Sequence, residues 1–143
     1  MIKYTFHSPD EPRPTPEEMF FNMSKATSLR SPCLKRKVGA VIVKDGTILS
    51  TGYNGPARGE PHCIVCKRAL ADSGTNYTEK CPAVHAEENA VINAARQGVS
   101  ILGGQIYVYA EGGAKPCYRC RRLIKNAGLT IIDETDIKES NSI

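Results

Sequence analysis

Asp45-Gly46 stands between two β-rich apolar runs, 38–44 and 47–53, and this arrangement constrains the fold more than any other stretch of the chain. An Asp-Gly pair supplies the positive φ values of a two-residue hairpin turn, so the sheet opens with antiparallel strands. Element types then alternate. Residues 85–97 place Ala90, Val91, Ala94 and Ala95 on one helical face and stop at Gly98. Residues 105–110 read as a strand, 116–126 as a helix closed by Ala127-Gly128, and 129–133 as a last short strand. Ahead of the hairpin, 15–29 offers a Thr15 cap, Pro16, Glu17 and Glu18, then Met19, Phe20, Met23 and Ala26 at helical spacing. Tyr53 reads first as a strand-end core residue and second as a stacking platform, and Gly52 and Gly55 read as turn glycines. A hairpin followed by this alternation predicts an α/β fold with a mixed central sheet flanked by helices.

At 143 residues the chain suits a single domain, with 15–133 as its core and 134–143 as a polar tail. Residues 54–83 form a long cysteine-bearing connection, with one short helix expected near 67–72. A connection of that length inside a compact domain needs a function or a tie. The net charge of +4 suits anionic small molecules and falls short of the basic stripe of a dedicated nucleic-acid binder. No apolar run approaches the ~18 residues that span a bilayer. Residues 1–16 carry Pro, Asp and Glu where a signal peptide needs an apolar stretch, which points to the cytoplasm. In that reducing setting six cysteines read as metal ligands or free thiols rather than disulfides.

The chemistry concentrates in two segments, Cys81-Pro82-Ala83-Val84-His85-Ala86-Glu87 and Pro116-Cys117-Tyr118-Arg119-Cys120. Cysteines three apart at a helix start point to one side, so Cys117 and Cys120 can reach one ion, and His85 can add a third ligand from the other helix start. Three protein ligands leave a tetrahedral zinc with one open position, the mark of a catalytic site. Glu87 is not needed as a ligand. Two residues past His85, it suits a general acid/base acting on whatever takes the fourth position. Free N–H groups and the positive dipole at both helix starts favour thiolates there. Either motif alone says little. The two in this order, on helix starts separated by a strand, outweigh a core histidine, a capping glutamate and a pair of buried thiols.

On His85-Ala86-Glu87 and Pro116-Cys117…Cys120 the chain resembles the cytidine deaminase-like zinc enzymes, over about 31–133. Within them it is most similar to deoxycytidylate (dCMP) deaminases. Four features carry this: Cys33 just ahead of Val38-Gly39-Ala40-Val41-Ile42-Val43, then Gly52-Tyr53-Asn54-Gly55, the cysteine-bearing insert, and His85-Ala86-Glu87-Glu88-Asn89-Ala90. The resemblance implies a three-layer cytidine deaminase-like fold, a catalytic Zn2+, Asn54 in the substrate pocket, and Ala86 lending backbone groups. It also implies hydrolysis of dCMP to dUMP and ammonia, a homo-oligomer (hexameric in relatives), and dCTP or dTTP as effectors. One feature departs from the pattern: Ala110-Glu111-Gly112-Gly113-Ala114-Lys115 is longer than the usual turn before Pro-Cys.

Cys33, Cys63, Cys66 and Cys81 remain. Cys63-x-x-Cys66 has knuckle spacing, and a closed four-cysteine zinc site would tie down the long connection; four unliganded thiols, or His62 replacing one cysteine, are the alternatives. Some dCMP deaminases carry a second, structural zinc held partly by cysteines matching Cys33 and Cys63. A nucleotide needs a cation near its pocket, which favours Lys37 and Arg58. Lys115, Arg119, Arg121 and Arg122 could hold a phosphate but read first as a solvated helix face or subunit contact. Rival readings are a deaminase of tRNA adenosine or of a free base, and a non-enzymatic zinc ribbon in which Cys63 and Cys66 join Cys117 and Cys120.

Overall fold

The computed structural model describes residues 1–68 and 81–133. The polar tail lies outside those residues, as does most of the helix expected near 67–72. The hairpin forms as the Asp-Gly turn requires. β1 (Val38–Lys44) pairs antiparallel with β2 (Thr47–Tyr53), and Asp45 and Gly46 take φ 51° and 74°. Both are positive, as a type I′ turn demands. The register runs Lys44↔Thr47 and Val43↔Ile48, then jumps to Ile42↔Ser50, so Leu49 is a bulge residue. Ile48 therefore packs on one face of the sheet while Leu49 packs on the other. Ser50 Oγ, on Leu49's side, donates to Ala90 O at 2.7 Å.

β1 is a central strand, buried from Gly39 to Val43. Two residues each of β3 (Gly55–Pro56) and β4 (Ala83–Val84) make a separate ribbon. The other edge of β1 pairs antiparallel with β5 (Gln105–Ala110), and β5 pairs parallel with β6 (Thr130–Ile132), giving the order β2-β1-β5-β6. Helix α1 (Pro16–Ser28) covers one face of the main sheet with Phe20 against Val41, Val43 and Tyr107. Helices α2 (Ala86–Gln97) and α3 (Tyr118–Asn126) cover the other, where Ala86, Ala90, Cys120 and Ile124 meet Ala40, Ile42, Ile106 and Val108. Successive side chains on a strand alternate faces, so each of β1 and β5 feeds both cores. This is the three-layer mixed sheet that the alternation of elements and the family resemblance imply.

The faces of α1 and β2 differ from the sequence reading. The buried stripe of α1 is Phe20, Ser24 and Ser28, whereas Met19 and Met23 are exposed. The serines face inward because α1 lies so close to β1 at Gly39 that a β-carbon there would strike Ser24 O and Ser28 N. Their hydroxyls stay satisfied by donating to Phe21 O and Lys25 O, both at 2.6 Å. Gly52 is likewise a packing glycine, not a turn glycine: a β-carbon would meet Ala86 O and Ala90 N of α2. Gly55 abuts the Pro32 ring, which a β-carbon on Gly55 would approach to 3.0 Å. Tyr53 is not core but partly exposed at the end of β2. On α2, Ala90 and Ala94 are buried by the chain's own sheet, while Ala95 faces out.

Because α2 carries His85 at its start, the contact at Gly52 fixes the site's height above the sheet. Gly52→Ala should destabilise the fold by about 2–3 kcal/mol through overpacking, and Gly46→Ala by about 1 kcal/mol through its positive φ. Urea unfolding of both variants checks this, and the reverse order would show that the turn, not the helix contact, limits stability.

Candidate active site

Two helix starts supply the site. His85 is the N-cap of α2, at φ −71° and ψ 154°, and its N–H donates to Glu88 Oε1 at 3.0 Å. Glu88 thus fills the acidic position of a capping box and pins the helix start to the histidine. Cys117 is the N-cap of α3, and its Sγ accepts from Cys120 N at 3.4 Å. The first turn of α3 therefore turns Cys117 and Cys120 toward one point. Across the gap, His85 Nδ1 lies 3.3 Å from Cys120 Sγ and 3.6 Å from Cys117 Sγ.

These three ligand atoms lie within 4.8 Å of one another, and among the described residues they are the one such group of three or more histidine, cysteine or acidic side chains. Bonds of about 2.0 Å to nitrogen and 2.3 Å to sulfur put ligand atoms roughly 3.5 Å apart around a tetrahedral ion. The observed spacings match that geometry, and two sulfurs with one imidazole are a donor set that zinc favours. Burial pushes the Cys120 thiol well above its ordinary pKa, and a hydrogen bond from it to Glu87, the Glu87 charge and the Cys117 thiol push it further. A dication between the sulfurs reverses that balance and holds the thiols deprotonated. The residues present fit the ion.

Glu87 is 4 % exposed and lies within hydrogen-bonding reach of Cys120. A carboxylate is costly to bury without compensation, so its place beside the ligand set is informative. Ala86 is buried with its methyl in the core, which leaves its backbone as the part able to face a ligand. Asn54, also buried, ends the hairpin: its Oδ1 accepts from Val38 N at 2.9 Å and its Nδ2 donates to Arg36 O at 2.8 Å. Ser31 Oγ donates to Asn54 O at 2.8 Å.

The structure separates other residues that the sequence groups together. Arg58 is hydrogen-bonded to Asn93 Oδ1, six residues along α2 from Glu87 and so roughly 9 Å down the axis. Lys37 is exposed just ahead of β1. Cys33, Cys63, Cys66 and Cys81 are free thiols of intermediate exposure, and no three of them bring their sulfurs within 4.8 Å. The ribbon pairing of Cys63 and Cys66 with Cys117 and Cys120 does not form either, since the second pair converges on His85. In the basic cluster, Arg121 Nε donates to Pro116 O at 3.1 Å and Arg122 stacks over Tyr118 at 5.2 Å, so two of its cations serve α3 itself. Sequence reasoning missed Arg36 and Ser31. A buried serine carries no sequence signal, and the reach of Arg36 to Gly113 O spans 77 residues.

An imidazole and two cysteines around one point, with a buried carboxylate beside them, form a site that can hold zinc, and comparison with known proteins agrees. The family model described as the cytidine and deoxycytidylate deaminase zinc-binding region matches residues 14–132. The chain belongs to that family. It is 37 % identical over 123 residues to the deoxycytidylate deaminase of Mycobacterium phage D29, covering 82 % of this chain and 91 % of the phage protein. It is 34 % identical to the Schizosaccharomyces pombe deoxycytidylate deaminase, over 85 % of this chain but only 37 % of the yeast enzyme. Among solved structures, the cyanophage S-TIM5 dCMP deaminase in complex with dCMP and dUMP superposes with a TM-score of 0.66. That pair is 28 % identical, over 83 % of this chain and 79 % of that one. The Burkholderia pseudomallei cytidine deaminase shares the fold at 22 % identity and a TM-score of 0.57, over 80 % of this chain and 81 % of that one.

Purified protein should carry one zinc per chain by elemental analysis, and Cys120→Ser should lose it while Cys63→Ser keeps it. Two zinc ions per chain, one of them lost in Cys63→Ser, would instead restore the four-cysteine site.

Proposed function

We propose that the chain hydrolyses a cytosine nucleotide, dCMP foremost, to the uracil nucleotide and ammonia. The observation that carries this reading is the buried Glu87 carboxylate, set two residues past His85 and against Cys120. Zinc bound by His85, Cys117 and Cys120 supplies the Lewis acidity that makes water nucleophilic near neutral pH. Glu87 takes a proton from the attacking water, delivers it to N3 of the ring, and returns a proton to the departing amine. The C4–O bond forms, the C4–N bond breaks, and the amine leaves as ammonia. Asn54, braced by backbone on two sides, and the backbone at Ala86 orient ring and sugar.

The nucleotide's phosphate is assigned to the cationic rim. Arg36 reaches Gly113 O, so the loop carrying Lys37 and the loop carrying Lys115 are neighbours, and both lysines are exposed. The names of the phage and yeast relatives support dCMP over a free base or a tRNA adenosine. Arg58 belongs instead to a cavity of about 540 Å³ that Arg30, Tyr53, His62 and Ile92 also line. Its cations and its ring suit a nucleoside triphosphate, so we assign any response to dCTP or dTTP to this cavity. Exposed Ile2, Tyr4 and Phe6 favour a homo-oligomer, and six free thiols favour the cytoplasm.

An ammonia-release panel over cytosine, deoxycytidine, CMP, dCMP and dCTP should show dCMP turned over fastest, and a faster free base would overturn the substrate assignment. Glu87→Gln should retain zinc and fold but lose roughly 10³-fold or more in kcat. Near-normal turnover in that variant would remove Glu87 from proton transfer.

A further inference from the structure

Arg36 uses all three of its polar groups to join separate parts of the chain. Its N–H donates to Cys33 Sγ at 3.4 Å, its carbonyl accepts from Asn54 Nδ2 at 2.8 Å, and its guanidinium donates to Gly113 O. The first bond shapes the turn ahead of β1, the second ties that turn to the end of the hairpin, and the third crosses to the loop between β5 and Cys117.

That loop, from Glu111 to Lys115, leads from the end of β5 into the second ligand segment. Gly112 and Gly113 take φ 82° and 99°, values that L side chains rarely adopt, and Gly113 N donates to Ala110 O at 3.0 Å. Two consecutive glycines give such a segment many alternative conformations, and it runs directly into Pro116 and the metal ligand Cys117. Ala114 rests against the core from within it. A loop of this composition needs an outside contact to select one shape, and Arg36 supplies one from the side where Asn54 sits. Arginine suits the task because its guanidinium stays charged and a charge-assisted bond to a carbonyl outlasts a neutral one.

We propose that Arg36 is a positioning residue that locks the Glu111–Lys115 loop against the Asn54 corner, turning a glycine-rich segment into a fixed wall of the substrate site. The assignment rests on the substrate reading above for its kinetic consequence, but not for its structural one. Arg36 acts on the reaction through the loop and through Asn54. Its removal loosens the wall that meets the nucleotide while leaving His85, Glu87, Cys117 and Cys120 on their helix starts.

Amide hydrogen exchange on the zinc-loaded full chain tests this in wild type, Arg36→Ala and Arg36→Lys. Exchange at residues 111–115 should rise on the order of tenfold in Arg36→Ala, with the rest of the sheet, the melting temperature and the zinc content unchanged. Arg36→Lys keeps one donor and should restore most of the protection. In turnover of dCMP, Arg36→Ala should raise KM several-fold with kcat held within about twofold. Unchanged exchange in the loop, or exchange that rises equally throughout the chain, would overturn the lock. If no cytosine nucleotide is turned over by wild type, the substrate reading fails, and the exchange experiment still decides the role of Arg36.

Discussion

Everything at the site depends on how closely α2 approaches the sheet. Gly52 lets the backbone of α2 rest on β2 where any side chain would collide with Ala86 and Ala90, and Ala86, Ala90 and Ala94 keep that face of the helix thin. The small residues bring the helix start down to the level of Ile42, Ile106 and Val108. A larger residue at any of these places would lift His85 away from Cys117 and Cys120, which arrive on a different helix. Shifts of about 1 Å suffice to degrade a catalytic geometry. The coordination geometry therefore rests on steric facts two layers away from it.

The ligands are also caps. His85 and Cys117 each end a non-helical segment and begin a helix, with φ and ψ fixed in the extended region. Their backbone directions are set by local hydrogen bonding, through Glu88 Oε1 to His85 N and through Cys117 Sγ to Cys120 N. Ligand orientation is thus built into the folding of two helices. The same placement puts two positive helix ends near the sulfurs, where they favour thiolate.

Local rules explain which parts are legible in sequence. The Asp45-Gly46 turn, the three-layer alternation and both metal-ligand helix starts follow from spacing within a few residues, and the structure agrees with each. The inward face of α1 escapes a sequence reading because Ser24 and Ser28 look polar, yet bonding to the carbonyls three residues back makes them compatible with a core. Gly52 escapes it because a packing glycine and a turn glycine have the same letter, and only the helix above it distinguishes them. The four-cysteine grouping rests on spacing alone, and among the described residues no three of those sulfurs lie within 4.8 Å of one another. Arg36 emerges only once two loops far apart in sequence lie side by side.

Asn54 shows how a side chain's available chemistry can be set by something the sequence does not display. An amide side chain offers two N–H donors and an oxygen with two lone pairs. Val38 N must be met by an acceptor and Arg36 O by a donor, so Oδ1 has to lie toward Val38 and Nδ2 toward Arg36. The amide cannot be flipped without opposing donor to donor and acceptor to acceptor at two part-buried bonds. One N–H and one lone pair remain, and their directions are settled by the same two bonds. The polarity that Asn54 can offer a ligand is therefore dictated by the backbone at the end of the hairpin. Ser31, by donating to Asn54 O, holds the residue's main chain as firmly as its side chain is held. The orientation of this side chain is a property of the turn before β1 as much as of the asparagine, so a change in that turn re-aims Asn54 without touching the metal-ligand residues.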